Sequence, residues 1–453
     1  MKFGSVGSNL VKKNRLPFGK IGLTLLAGTA IFFGTQSWSF TGASLDLDFV
    51  NNRAAGVSSI DSALSLTRAS AGTAQNADGS WTQFSSGQLR RTDKGLLIEE
   101  ARTNSIRNNS MQGAVAGTPG TAPTNWSVSS GSGINSQIVG KGTENGIDYV
   151  DVRWFGTTTG NVYFGVLFEA NSQIAASANS IWTHSAFFRL ISGTLGANAI
   201  MVMTNFDSGG GALNQFATSS IAESGATLQR FYHSTLSSTF ASASTAFVRP
   251  SIQFNVTSSG VAVDFTLRIG WPQLEQGAFV TSPIRTTSAA VTRAMDAITV
   301  NGPTNYVSLA QDSVFVEWQE GIGAGAPANR CVWSMRNDSN NYARLFVASN
   351  GTVTSAYVVG GGISASLVSS NPSIAGGIYK TAFRFKNNYF AARNSAALGS
   401  PANDNSGAIL ASGPTNIHVG SFEGSTQIIN GYIRRLTLFP SPLTDAQLDA
   451  LVA

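Results

Sequence analysis

Short stretches of strict apolar–polar alternation recur from Leu45 onward, and they constrain the fold more than any other feature of the chain. In DVRWF (151–155), Val152 and Trp154 share one face while Asp151 and Arg153 take the other. In SIQFNV (251–256), Ile252, Phe254 and Val256 oppose Gln253 and Asn255, and in VDFTLRI (263–269), Val263, Phe265, Leu267 and Ile269 oppose Asp264, Thr266 and Arg268. Successive side chains leave a strand on opposite faces, so a period of two describes a sheet with one dry and one wet face. Helical periodicity is almost absent. Many short strands joined by Gly/Ser/Thr turns fold as two-sheet antiparallel sandwiches or jelly rolls. The predicted class is therefore all-β, with two antiparallel β-sandwich domains behind a short β-rich module and a hydrophobic leader.

The chain has 453 residues, enough for two or three compact units. Its 48 glycines and 12% charged residues fit loop-rich β domains with a neutral polar surface. The net charge of +5 comes from the start of the chain, where Lys2, Lys12, Lys13, Arg15 and Lys20 precede the first acid, Asp46. Without those five, 24 of the 29 basic residues remain against 24 acids, so the body is formally neutral and carries no basic stripe for nucleic acid. A single cysteine, Cys331, excludes intrachain disulfides and cysteine-rich metal clusters.

Residues 1–44 form a basic, hydrophobic leader. IGLTLLAGTAIFFGTQSWSF (21–40) is free of charge, the layout of a signal, an anchor or an attachment segment. Its apolar heart, Ile21 to Gly34, is shorter than the ~20 residues needed to cross a bilayer. Thr41-Gly42-Ala43 only approximates a small-residue cleavage site.

Composition then divides the body into a β-rich preface (45–104), a first sandwich (105–285), a linker (286–296) and a second sandwich (297–453). Asp78-Gly79 supplies a tight hairpin turn within the preface. Near the C-terminus Thr444 caps a short helix, Gln447 completes a capping box, and Leu443, Ala446 and Leu451 face the sheet. LTRAS (66–70) and VTRAM (291–295) are faint echoes with no repeat of fixed period behind them.

LDLDF (45–49), SALSLTRASAGTAQNADGSWTQF (62–84) and GLLIEEARTN (95–104) together resemble the opening module that precedes β-sandwich domains in bacteriophage and prophage tail-fibre or spike proteins. WPQLEQGAFVTSPIRT (271–286) is similar to the segment that closes such a sandwich, the whole looking like a carbohydrate-binding jelly roll. NGYIRRLTLFPSPLTDAQLDAL (430–451) resembles the end of a concanavalin A-like, laminin G-type sandwich. The resemblance implies a non-enzymatic adhesive protein of the virion surface that binds host glycan, as a homo-oligomer, trimeric by analogy with fibres, beside other virion proteins. The leader points instead to an exported or envelope-anchored lectin-like protein. A polysaccharide hydrolase or lyase with dispersed acids is a third reading.

Few residues offer catalysis. Glu99 and Glu100 are adjacent, and strand geometry turns them to opposite faces, whereas glycoside hydrolysis needs two carboxyls converging on one bond. Glu100, Arg102 and Asn104 share a face and are expected to form a charged hydrogen-bond network that pins the preface to the sandwich. Glu317 and Glu320 in VEWQE lack the spacing of a glucanase motif. His184, His233 and His418 show no metal-ligand spacing, and His184, on the face of Trp182, Ala186 and Phe188, reads as a satisfied core histidine. No cofactor is implied. Calcium is the one ion with a candidate loop, through Asn403, Asp404 and Asn405, although Asn/Asp/Gly strings also form turns without metal. Sugars stack on exposed aromatic rings beside polar groups. Tyr342, Arg344 and Phe346 alternate outward in YARLFV, and Trp318, Tyr389, Trp126 and Trp271 are further glycan-binding candidates.

Overall fold

The computed structural model describes residues 38–453, except 196–198, 219–224, 238, 309–310, 324–325, 327 and 410–412. The charge-free heart of the leader lies outside the described residues. The alternating stretches are strands, and all their pairings are antiparallel within two sandwiches.

One sandwich is formed by residues from both ends of the chain. Its first sheet runs in the order Arg53–Ala55, Leu45–Asp48, Gly431–Phe439, Asp312–Gln319, Ile378–Phe385, Ala391–Asn394, with Gly95–Ile98 also paired to Gly431–Phe439 and Arg91–Thr92 beside it. Its second sheet runs Gly362–Pro372, Thr352–Val359, Asn341–Val347, Arg330–Asp338, Asn416–Val419, Ala297–Val300, Leu64–Thr67. One core lies between them and includes Leu45, Leu47, Ile98, Trp318, Trp333, Tyr357 and Phe383.

The other sandwich is inserted into this one. A five-stranded sheet (Ile134–Glu144, Ile147–Thr157, Ala262–Gln276, Trp182–Gly193, Gln229–Ser234) faces a sheet ordered Ala212–Ala217, Ala199–Phe206, Phe247–Val256, Val162–Leu167, Ser127–Ser129. Val152, Trp154, Ile252, Phe254, Phe265, Leu267 and Ile269 fill its core, on the faces their alternation assigns. The chain leaves the outer sandwich along Arg102–Asn104 and returns along Val291–Arg293, and these two strands pair with each other.

The preface and the linker are thus not separate units. Leu45–Asp48, Leu64–Thr67 and Gly95–Ile98 are strands of the second sandwich, and within the predicted linker Arg293 and Asp296 are buried. Alternation shows that LDLDF has a dry face but not which sheet covers it, because the partner strand lies 389 residues away. Even the nominally wet face is covered: Asp46 accepts from Arg435 Nε at 2.9 Å and Thr437 Oγ1 at 2.9 Å, and Arg435 lies over the ring of Phe40 at 3.9 Å. Phe40 meets Phe315 edge to face, so residues predicted as the tail of the leader pack onto the sandwich.

Local signals held more closely. Gly72–Gln75 and Trp81–Phe84 form the hairpin around Gly79, whose φ of 88° suits a glycine. Thr444 caps the helix Asp445–Val452 with the reciprocal Gln447 bond. Ala446 is exposed, however, and Leu448 takes its place beside Leu451, since residues three apart share a helix face and Ala446 lies two before Leu448.

This connectivity yields a test. A fragment spanning 105–290 is expected to unfold cooperatively by itself, whereas 297–453 alone, missing five strands and their share of the core, is expected to be insoluble or molten; urea denaturation followed by near-UV circular dichroism distinguishes the two.

Candidate functional site

GLLIEEARTN lies where the two sandwiches meet. Glu99 is buried, and its carboxylate accepts from Arg90 Nη1 at 2.6 Å, from Ser282 N at 2.7 Å and from Ser282 Oγ at 2.6 Å, with Arg293 Nη1 at 3.2 Å. Asp296 accepts from Arg68 Nη1 at 2.7 Å and pairs with Arg90, while its backbone and that of Glu99 tie the two segments together. Burial raises the Glu99 pKa, but Arg293, Arg90 and the Ser282 bonds outweigh it and hold the carboxyl down at about 2. Arg68 and Arg293 are the arginines of LTRAS and VTRAM, and Ser70 Oγ accepts from Ala294 N at 2.8 Å, so the two echoes meet in space.

Glu100 faces away from Glu99. It pairs with Arg102 at 2.6 Å, and its N–H donates to Asn430 Oδ1 at 2.9 Å. Arg102 Nη1 donates to Gln276 O at 2.8 Å. Asn104 is buried, donates to Pro272 O and Ile284 O, and accepts from Ile106 N and Leu274 N. These three side chains therefore bond across the junction. Glu99, the neighbour set aside in the sequence reading, has the larger share of buried charge.

The aromatic candidates divide sharply. Trp318 and Trp271 are wholly buried, and Trp126 is buried against Phe168 with its Nε1 donating to Asn108 O at 2.8 Å. None of the three presents a face to a sugar. Trp318 shares the dry face of Val314 and Val316, a signal already present in VFVEW. Tyr389 is fixed against Arg384, whose guanidinium lies 3.8 Å from its ring, and its hydroxyl bonds Asp445 at 3.3 Å. Tyr342, Arg344 and Phe346 are half-buried together on the outer face of the seven-stranded sheet, where Phe422 and Arg336 join them.

A more exposed aromatic lies on the outer face of the sheet of the inserted sandwich that holds Val162–Leu167. A groove of about 470 Å³ is lined by Tyr163, Gln215, Gln253, Ser129 and Leu167. Tyr163 is 60% exposed, which leaves its ring face open to solvent. Gly165, opposite Gln253 in the ladder, has a φ of 153°, and a Cβ there would meet the Ile252 carbonyl of the neighbouring strand at 2.0 Å, so only glycine lets the two strands approach at this point. The signal was legible in NVYFGVLF, where Val162, Phe164 and Val166 take the dry face and Tyr163, Gly165 and Leu167 the wet one.

The remaining candidates have local partners. Glu317 bonds Arg434 at 2.7 Å; Glu320 is buried, accepts from Ser373 Oγ at 2.9 Å and lies 3.3 Å from Arg330. Asn403 accepts from Arg393 at 2.9 Å and donates to Asp445 at 3.1 Å, and Asp404 accepts from the backbone and hydroxyl of Ser406, while Asn405 lies exposed in the same turn. The Arg393 guanidinium thus occupies an oxygen that a cation would need. His184 is a core residue packed on Phe168, but among the described residues neither ring nitrogen has a hydrogen-bond partner, so it is not the satisfied histidine expected. Burial, with a smaller contribution from His233, pushes its pKa down to about 3.

No protein-family model matches the sequence, and no curated protein matches it. Among solved structures, the CBM40 of Ruminococcus gnavus IT-sialidase bound to α2,3-sialyllactose is similar over 32% of this chain and 84% of its own, at 17% identity and a TM-score of 0.27. A heptameric SAP-like pentraxin from Limulus polyphemus covers 32% of this chain and 71% of its own, at 15% identity and a TM-score of 0.24. Domains LG4-5 of the mouse laminin α1 chain cover 64% and 96%, at 11% identity and a TM-score of 0.22. These likenesses are distant, and the place of the chain among antiparallel β-sandwiches rests on its own sheet pairing.

Two stability predictions follow from the buried charges. Glu99→Ala leaves Arg293 without a carboxylate and Arg90 with Asp296 alone, and is expected to cost about 3–5 kcal/mol, against about 1 kcal/mol or less for the partly exposed Glu100→Ala, both read by chemical denaturation. For His184 the folded pKa lies below the unfolded value of about 6.5, so the unfolded chain takes up the proton first. Stability should fall as pH drops from about 6.5 toward 3, by up to about 1.4 kcal/mol per pH unit, and His184→Phe should flatten that slope in thermal melts.

Proposed function

We propose that this is a non-enzymatic glycan-binding protein whose inserted sandwich holds a saccharide in the groove beside Tyr163. The observation that carries the reading is the juxtaposition of an exposed tyrosine with amide and hydroxyl side chains along one groove. The apolar face of a pyranose stacks on the ring, and Gln215, Gln253 and Ser129 bond its hydroxyls. A shallow site of this kind binds weakly as a monomer, and oligomerisation, trimeric in a fibre, multiplies the contacts into useful avidity.

The resemblance of the opening segment to phage tail modules supports a place on a virion, as a fibre or spike component that contacts host-surface polysaccharide. The charge-free stretch 21–40 favours a second reading, an exported or envelope-anchored lectin-like protein. Recovery in purified virions supports the first, and recovery only in envelope or medium supports the second. For the binding itself, Tyr163→Ala is expected to weaken glycan affinity about tenfold without changing the melting temperature. A glycan array that identifies a ligand, followed by calorimetry on the variant, checks this; unchanged affinity would exclude the groove.

A further inference from the structure

Arg344 occupies an unusual position for a charged side chain. It stands on Asn341–Val347 with Tyr342 and Phe346 to either side and Phe422 reaching over from the loop after Asn416–Val419. Its guanidinium carbon is 4.2 Å from the Phe346 ring centroid, 4.8 Å from that of Phe422 and 5.5 Å from that of Tyr342, and Tyr342 and Phe422 meet edge to face at 5.0 Å. Nη1 donates to Gln427 Oε1 at 3.0 Å, and the backbone carbonyl of Gln427 accepts from Cys331 N, which ties the Gln427 main chain to the sheet. Among the described residues no carboxylate forms an ion pair with Arg344, and its Nε is buried without an acceptor. The neighbouring Arg336 is neutralised by Glu423 at 2.6 Å.

The sequence on the far side of this arginine is also uncharged. From Leu345 to Tyr379 there is no Asp, Glu, Lys or Arg, a run that includes both strands completing the sheet beyond Asn341–Val347. Three rings stabilise a cation without neutralising it, each interaction contributing on the order of 0.5–1 kcal/mol at a partly exposed site. Arg344 is therefore a fixed positive centre on an otherwise neutral face, and among the described residues the bond to Gln427 is its one side-chain hydrogen bond. An anion placed there gains a charge-assisted hydrogen bond and meets no competing carboxylate on Arg344.

We propose that the outer face of the seven-stranded sheet is a second binding site, selective for the carboxylate of an acidic saccharide. Arg344 receives the carboxylate, the rims of Phe346 and Phe422 meet the apolar face of the sugar ring, and the Arg336–Glu423 pair supplies polar contacts to its hydroxyls. The proposal rests on the glycan-binding reading for the saccharide and on Arg344 for the charge.

Calorimetry on the full chain with trigalacturonate and with its carboxyl-reduced, neutral counterpart tests it. The acidic sugar is expected to bind at least about tenfold more tightly than the neutral one at low salt, and the preference to shrink at high salt. Arg344→Gln should abolish the preference, and Arg344→Lys, which keeps the charge but loses the planar fork, should retain part of it. Tyr163→Ala should leave the preference intact, so failure of the groove and failure of this site are distinguishable. Equal affinity for the two sugars, or a preference that survives Arg344→Gln in a variant with unchanged melting temperature, would overturn the proposal.

Discussion

Arg68, Arg90 and Arg293 meet Glu99 and Asp296 out of contact with solvent, and the rest of the molecule is arranged around that cluster. Isolated buried charges are expensive; a set of paired charges is tolerated when each faces an opposite partner. Here the members come from the start of the outer sandwich, from the segment before the insert and from the segment after it, and Ser282 adds a contact from the end of the inserted sandwich itself. One omission leaves several charges unmatched. The cluster therefore ties the segments on either side of the insert to one another, and Ser282 links the end of the inserted sandwich to them.

Much of this was legible before any coordinates. Period-two alternation identified the strands around Val152, Ile252 and Phe265 and their dry faces, because that pattern is a direct consequence of where side chains leave a strand. The capping box at Thr444 and the turn at Gly79 are equally local. Domain boundaries were not legible, because LDLDF and GLLI carry the same alternation whichever sheet they join, and strand partners hundreds of residues apart leave no spacing to measure. The separation of Glu99 from Glu100 followed from geometry, yet it could not say which one met the arginines. LTRAS and VTRAM held the missing clue, since a repeated Arg in two otherwise neutral segments is what a shared acid would require.

The aromatic candidates show the same division. Large aromatics attract attention in a sequence, but Trp126, Trp271 and Trp318 are buried because bulk and apolarity favour the core. Tyr163 passed unnoticed although its alternation with Val162 and Phe164 already placed it on the wet face. Phe422 and Gln427 were beyond reach, as a loop residue's packing against a strand some eighty positions away depends on the whole sheet order.

The nested connectivity has a consequence in time. Asp46 finds Thr437 only after 391 further positions have been made, which at about 5–20 residues per second takes roughly 20–80 s of synthesis. The inserted sandwich is complete long before then and can fold while the first strands of the outer one wait as unpaired β edges. Such edges readily pair with other chains. On a polysome carrying many copies, the interval between making the first strand and making its partner is when this protein is most exposed to misassembly, and the acids of Leu45–Asp48, with no Arg435 to meet until then, place charge on that waiting edge.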